Sequence, residues 1–245
     1  MKCVSIIAIF FLLTFSVWAG RFVETFDGNK LREWKELVQH NAAPGSWRII
    51  NGELEAISRG NATRLLTLGD ETWRNYIVEL NVKPLRKHGP GNIAIAAPIQ
   101  GTWLMYYVIG DLPFLGRESM ATAIAGNFHL NKSVFFSFEP SPFFEVNKWS
   151  ILKLSVYGNT FNLSVNGKQL FKTIGGIPIP WAKVFQVIDP EFPDFQTGGV
   201  GFGLTNYTAR FDNITIIGEG IPDRGGLSVM PRAKLATTWG SLKRF

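Results

Sequence analysis

Hydrophobic and polar residues alternate along most of the chain with a period of two. In residues 76–83, apolar side chains occupy the even positions, and mostly polar ones, including Glu79, occupy the odd positions. Residues 152–157 and 161–165 alternate in the same way. A period of two is typical of a half-buried β-strand, which turns one face to the core and the other to water.

Two-residue turns follow several of these segments. Asn51-Gly52 and Asn166-Gly167 each come directly after a segment that alternates. Both central residues of a type I′ turn need positive φ, which Asn and Gly adopt at low cost. These pairs therefore predict antiparallel hairpins.

The other strand-like segments complete an all-β pattern. They are residues 64–68, 92–98, 102–109, 121–129, 133–138, 198–206 and 210–217. A turn or two of helix is predicted only in residues 31–38. About a dozen short strands joined by Gly, Asn and Pro turns indicate an all-β fold, an antiparallel two-sheet jelly-roll sandwich.

The first nineteen residues predict a secretory signal peptide. Lys2 precedes an almost entirely apolar run over residues 4–17, and short side chains at Val17 and Ala19 suit a cleavage site. A membrane anchor is the alternative, but the run is shorter than the ~20 residues that span a bilayer, and no second run approaches that length. We therefore expect a secreted protein, extracellular or periplasmic, without a transmembrane segment. The only cysteine, Cys3, belongs to this peptide, which excludes a disulfide framework and a Cys-rich metal site.

Composition and charge divide the rest of the chain into a domain and a tail. A hydrophobic fraction of 46% and a charged fraction of 18% exclude a disordered chain. We assign residues 20–217 to one jelly-roll domain and residues 218–245 to a basic tail that contains Gly and Pro. Half of the net charge of +6 lies in that tail. Because a nucleic-acid-binding domain concentrates its cations on one face, we expect no nucleic-acid partner; the tail could instead attach the protein to a partner in the cell envelope.

The order of the segments resembles the concanavalin A-like (laminin G-like) jelly-roll superfamily. The segments that carry the resemblance are Phe26-Asp27-Gly28 with Trp34, then residues 47–54, 69–80, 149–170, 198–203 and 209–215. Within the superfamily they are most similar to the branch of 3-keto-disaccharide hydrolases and carbohydrate-binding modules. This fold hosts lectins, glycosidases and adhesion modules, so the resemblance implies a carbohydrate ligand without fixing the function.

The sequence contains few of the residue patterns that glycoside hydrolysis requires. The Glu-x-Asp-x-x-Glu strand of family 16 glycosidases is absent, although retaining hydrolysis needs two carboxylates about 5–5.5 Å apart. Where the 3-keto-disaccharide hydrolases look polar or charged, this chain has Ala96, Ala97 and Tyr107. The catalytic candidates are therefore Glu79 and Asp111, as carboxylates near a groove. The alternative for Glu79 is a strand charge that pairs with a neighbouring lysine.

Aromatic side chains supply the binding candidates, because sugars stack on aromatic faces and bond to a few fixed polar groups. On one strand Trp103 and Tyr107 share a face, whereas Tyr106 points the other way, and one of the two faces must be core. The predicted ligand-binding residues are Trp103 and Tyr107, with Arg86 and His88 in a loop just before them and Trp181 in a later loop. Trp181 could alternatively plug one end of the sandwich. None of the three histidines has metal-ligand spacing.

A structural calcium ion is implied by the same resemblance. In the superfamily a metal often ties the first strand to the last, and Asp27, the Gly52 carbonyl and Asp212 resemble its ligands. Calcium prefers such carboxylate and carbonyl oxygens. The alternative is that Asp27 closes an Asx turn and that Asp212 is a polar residue at a strand edge. No cofactor is required.

Together these features predict a secreted, non-catalytic carbohydrate-binding (lectin-like) module whose partner is a polysaccharide or glycan. Two alternatives remain open at this stage. One is a glycoside-processing hydrolase of the 3-keto-disaccharide type, and the other is a structural or adhesion module of the cell envelope.

Overall fold

The computed structural model describes residues 19–28, 31–112, 117–130, 132–140, 144–158, 160–170 and 189–224. Apart from one 3-10 turn at Gln39–Asn41, the regular structure in these ranges is β-strand. The strands are β1 (Ala19–Glu24), β2 (Lys35–Val38), β3 (Ser46–Ile50), β4 (Glu53–Ile57), β5 (Arg64–Leu68), β6 (Arg74–Gln100), β7 (Trp103–Leu112), β8 (Arg117–Asn127), β9 (Lys132–Pro140), β10 (Ser150–Tyr157), β11 (Thr160–Val165), β12 (Lys168–Gln169) and β13 (Gly199–Glu219). In the described ranges no helix has the length and apolar character to cross a membrane.

Two antiparallel layers share the long strands β6 and β13. The back sheet has the order β12-β11-β10-β6-β13-β4-β3, and β1 pairs with the end of β13. The front sheet has the order β9-β8-β7-β6-β13-β5-β2. The prediction of an all-β, antiparallel jelly-roll sandwich is confirmed.

Both long strands bend as they pass from one layer to the other. Gly89 has a φ of 151° and is followed by Pro90 and Gly91, while Asn206 has a φ of 55° at a register shift in β13. Only backbone that tolerates positive φ can bend in this way without leaving the ladder. The segments predicted as separate strands on either side of each bend are therefore continuous strands.

The main core lies between the layers, where the alternation predicted it. Tyr76, Val78, Leu80 and Val82 are all buried there. Trp34 packs edge-on against Phe202, with ring centroids 5.1 Å apart. The two Asn-Gly hairpins are also confirmed, because all four of their residues have positive φ.

Two predicted segments differ in extent from the structure. Residues 31–34 form a turn, in which the Trp34 amide donates to the Leu31 carbonyl at 3.3 Å, but residues 35–38 form no helix, because they are strand β2 and pair with β5. The last strand does not stop at residue 217, since β13 continues to Glu219, Ile221 is buried, and the backbone of Arg224 bonds to that of Arg21 and Val23. Residues 1–18 of the predicted signal peptide and residues 225–245 of the predicted tail lie outside the described residues.

Candidate functional site

A cleft of about 690 Å³ lies on the outer face of the front sheet. Tyr106, Val108, Ile124 and Phe135, from β7, β8 and β9, give it an apolar floor. The other lining residues are Gln39, His40, Ala42, Asn61, Ala62, Thr63, Asn92, Leu112, Ser133 and Thr205. An apolar floor with a few convergent polar groups is the general anatomy of a small-ligand site.

Alternation along β7 decides which aromatic residue reaches the cleft. Tyr106 belongs to the outer apolar cluster and lines the cleft, with Phe128 edge-on 5.3 Å away. Tyr107 is buried in the core between the sheets, so the ligand-binding role predicted for it is wrong. Trp103 is half-buried on the same inner side, against Phe192 at 4.8 Å, and does not line the cleft.

Asn92 presents a hydrogen-bond acceptor that no group in the described part of the chain uses. Its side chain lines the cleft and is only 4% exposed. The Nδ2 atom donates to the backbone carbonyl of Asp111 at 3.0 Å, which fixes the amide, while Oδ1 has no partner among the described residues. A buried polar atom without a partner is costly, so this oxygen is suited to a donor from a ligand.

Hydroxyl groups supply further polar contacts in the cleft. The hydroxyls of Thr63 and Thr205 are hydrogen-bonded to each other at 2.9 Å. Burial raises the pKa of Tyr106, although a hydrogen bond with Ser133 opposes the shift, and the phenol therefore stays protonated. Neutral hydroxyls both donate and accept, as do the hydroxyls of sugars.

The 3-10 turn forms one wall of the cleft. Gln39 accepts a hydrogen bond from the Thr63 amide through Oε1, at 3.1 Å, and the His40 amide donates to the Phe128 carbonyl at 2.7 Å. His40 and Asn41 both adopt left-handed backbone, with φ of 56° and 51°. These bonds hold the exposed His40 side chain at the rim of the cleft.

Asp111 lies beside the cleft as a fixed anion. Lys87 Nζ is 2.5 Å from its Oδ2, and the backbone amides of Ser119 and Gly91 donate to it at 3.1 and 3.3 Å. Burial tends to raise the pKa of Asp111, but these bonds outweigh burial, and the pKa lies below its ordinary value. An ionised carboxylate has no proton to donate, so Asp111 in this state does not suit the acid part of the predicted acid/base role.

Arg86 and His88 lie within strand β6, not in the predicted loop. They are next to the bend, where Arg86 is in register with Thr208 and His88 Nε2 is 2.8 Å from the Thr208 hydroxyl. Burial first, and then the charges of Arg59 and Arg86, lower the pKa of His88, so its ring is neutral at physiological pH.

Glu79 is far from the cleft, on the outer face of the back sheet. It is in register with Lys153 on β10, and their charged groups are 3.2 Å apart. Glu79 therefore does not line this cleft, and the alternative of a surface ion pair is what the structure has. Trp181, the remaining ligand-binding candidate, lies outside the described residues.

Of the three residues predicted to bind calcium, Asp27 and Gly52 are neighbours, and Asp212 lies on the strand that pairs with the Gly52 hairpin. The Asp27 carboxylate faces Gly52 and accepts a hydrogen bond from the Thr25 hydroxyl at 2.8 Å. Asp212 follows Phe211, which pairs with Leu54 of the same hairpin, and its carboxylate accepts from the Asn213 amide at 2.7 Å. Two carboxylates and a carbonyl fit the oxygen chemistry of calcium. No cluster of three or more His, Cys, Asp or Glu side chains occurs among the described residues.

Several solved structures share this fold. A protein of unknown function with a galectin-like fold from Bacillus subtilis has a TM-score of 0.55 at 11% identity, over 81% of this chain and 96% of that one. The carbohydrate-binding module CBM66 from Bacillus subtilis has a TM-score of 0.51 at 15% identity, over 75% and 94%. An endo-beta-galactosidase from Clostridium perfringens has a TM-score of 0.50 at 12% identity, over 81% and 62%. At such low sequence identities, these similarities show a shared fold and nothing more.

Sequence comparison gives a more specific relationship. No curated protein matches the chain. The family described as 3-keto-alpha-glucoside-1,2-lyase-like domain matches residues 21–217, which include all of β2 to β12 and most of β1 and β13. Since that match spans most of the chain, the protein belongs to the 3-keto-alpha-glucoside-1,2-lyase-like domain family.

Proposed function

We propose that the protein is a secreted carbohydrate-binding (lectin-like) module that holds a glycan in the front-sheet cleft without cleaving it. The observation that carries this proposal is the buried Oδ1 of Asn92, which has no partner among the described residues and lines the same cleft as the hydroxyls of Thr63, Thr205 and Tyr106. A sugar ring offers hydroxyl donors for that oxygen and C–H faces for the apolar floor. The family and the carbohydrate-binding module of similar fold support a carbohydrate ligand.

The cleft favours binding over hydrolysis. Among the described lining residues there is no carboxylate, and Asp111 nearby is ionised and fully bonded. Glycoside hydrolysis ordinarily requires one carboxylic acid that keeps its proton and a second carboxylate across the bond.

Affinity electrophoresis of the full chain in gels that contain neutral glucan, galactan, mannan or fructan tests the proposal. We expect retention by at least one polysaccharide, and a weakening of about tenfold or more in Asn92→Ala and in Tyr106→Phe. Glu79→Gln, on the opposite face, serves as the matched control and should bind as the wild type does. Retention of the wild type that the two cleft substitutions leave unchanged would contradict the proposal, provided that both variants keep the wild-type melting temperature within a few degrees.

A glycoside-processing enzyme of the 3-keto type is the second candidate. The family description names a lyase-like domain, and His40 brings an imidazole to the cleft. The test is release of sugar from a panel of glycosides and 3-keto-glycosides. Turnover that His40→Gln abolishes would establish the enzyme, whereas absence of turnover with binding intact would support the lectin-like module.

Secretion and attachment are separate parts of the proposal. Expression with residues 1–19 in a bacterial host should export the protein with Gly20 as the new N-terminus, which N-terminal sequencing would detect. An adhesion role requires residues 225–245, so a chain that ends at Arg224 should lose any association with the cell envelope while it keeps glycan binding. Unchanged association after that truncation would exclude the tail as the attachment.

A further inference from the structure

Cationic side chains gather beyond the Asn92 end of the cleft, where the long strands bend. Arg86 on β6 is in register with Thr208 on β13. Arg59 precedes Gly60, whose amide donates to Asn206 Oδ1 at 3.3 Å, two residues from Thr208. Arg59 and Arg86 therefore approach the same short stretch of β13 from its two sides. We call Arg59, Arg86 and the neutral His88 the arginine end of the cleft.

The charges at the arginine end are not neutralised within the described part of the chain. Arg59 and Arg86 are both exposed, and neither has a carboxylate oxygen within 4.0 Å there. Other arginines of the domain do have such partners: Arg210 pairs with Glu53, at 2.8 Å, and with Glu55. The carboxylate of the nearby Asp111 is held by Lys87.

A third guanidinium lies beneath the loop that carries Arg59. Arg64 is only 6% exposed, and it donates to the Ser58 hydroxyl at 2.7 Å and to the carbonyls of Ala62 and Ala43 at 2.9 and 2.8 Å. All three acceptors are uncharged, so these bonds fix the guanidinium without cancelling its charge. Glu36 lies near the aliphatic part of the Arg64 side chain, but its Oε1 accepts hydrogen bonds from other donors.

We propose that the arginine end is a subsite for the anionic group of an acidic glycan, a uronate carboxylate or a sulfate ester, whose neighbouring ring occupies the cleft. This inference rests on the proposed function of the cleft. The planar guanidinium fork binds carboxylate and sulfate oxygens through paired, charge-assisted hydrogen bonds. Asn92 is four residues from His88 on β6, at most ~13 Å along an extended strand, so a short oligosaccharide reaches both.

Calorimetric titration of the full chain with matched glycans tests the subsite. Oligogalacturonate and its carboxyl-reduced form make one pair, and dextran sulfate and dextran make the other, which separates uronate from sulfate recognition. We expect the acidic member of one pair to bind about tenfold more tightly, a difference of about 1.4 kcal/mol. Arg59→Gln and Arg86→Gln should each remove most of that preference and leave binding of the neutral member unchanged. Arg21→Gln, an exposed arginine on β1 at the far end of β13, is the matched control and should keep the full preference.

Four results would overturn the inference. If neutral glycans bind as tightly as acidic ones, or if both arginine substitutions leave the preference intact, the subsite is wrong while the cleft proposal stands. If acidic glycans bind but Asn92→Ala and Tyr106→Phe do not weaken them, binding occurs outside the cleft and both proposals fail. If a single-stranded DNA oligonucleotide of equal charge binds as well as the acidic glycan, the arginine end is a general polyanion surface and not a glycan subsite.

Discussion

Asn92 and Asp111 are adjacent at one end of the cleft, yet their polar groups are used in opposite ways. The Asn92 amide is fixed through Nδ2 by the Asp111 carbonyl, and Oδ1 has no partner in the described part of the chain. The Asp111 carboxylate forms an ion pair with Lys87 and accepts hydrogen bonds from two backbone amides. These contacts connect the bend of β6 to the end of β7. Asp111 is thus a structural anchor for Asn92, the residue through which we propose that the cleft binds its ligand.

The anchor makes the stability of the domain depend on pH. Since the folded-state pKa of Asp111 lies below its ordinary value of 3.8, its stabilising contribution is complete above about pH 4 and is lost as the pH falls through the lowered pKa. Asp111→Asn should lower the free energy of unfolding by about 1–3 kcal/mol at pH 7, because it removes a charged partner from Lys87. Urea denaturation of both proteins from pH 7 to pH 2.5 measures the difference, which should shrink below pH 4. A difference that stays constant over that range would contradict an ionised anchor.

At the level of the elements, β6 and β13 determine the architecture because each one belongs to both sheets. Alternation and Asn-Gly turns predicted most of the strands, since half-buried strands leave a clear period of two. They could not show that Gly89-Pro90-Gly91 bends a strand instead of ending it, because these residue types serve both purposes. They also could not assign the faces of β7, where Tyr106 and Tyr107 are both buried and both belong to apolar clusters.

Close packing of β13 against its neighbour makes Gly203 sensitive to substitution. Gly203 pairs with Leu65 on β5 and with Ala94 on β6, and a Cβ atom there would overlap the backbone carbonyl of Arg64. We expect Gly203→Ala to cost about 1–3 kcal/mol of stability, since the strands must separate to admit the methyl group. Gly28→Ala is the control, because no atom lies within 4 Å of its added Cβ, and its effect should stay within about 0.5 kcal/mol. Urea unfolding curves give both values, and equal stabilities of the two variants would show that the β5–β13 contact is not tight.

Over the whole molecule, ion pairs are found on both sheets, including Lys87 with Asp111 beside the cleft and Lys132 with Asp189 on the front sheet, and the arginine end of the cleft differs from them. The back face carries neutralising pairs, such as Glu79 with Lys153 and Arg210 with Glu53, whereas Arg59 and Arg86 beside the cleft have no such partner in the described part of the chain. The net charge of +6 did not predict this arrangement, because a total contains no information about which charges the fold brings together. The described cleft residues come from seven separate segments of the chain, so only the folded topology shows them as one site.

The corner that contains Asp27 and Gly52, next to the strand of Asp212, could couple metal binding to the stability of the whole domain, because it joins β1 and the β3–β4 hairpin to β13. A calcium ion at about 100 times its dissociation constant stabilises a folded protein by about 2.7 kcal/mol. For a domain of this size that corresponds to a rise in melting temperature of about 5–10 °C. We expect calcium to produce this rise and an excess of chelator to reverse it. Asp27→Asn should abolish the effect, whereas Asp70→Asn, whose carboxylate bonds to Thr72, should preserve it. An identical melting temperature in calcium and in chelator would show that the corner does not bind calcium and that the two carboxylates are satisfied by the protein, through bonds such as those from Thr25 and Asn213.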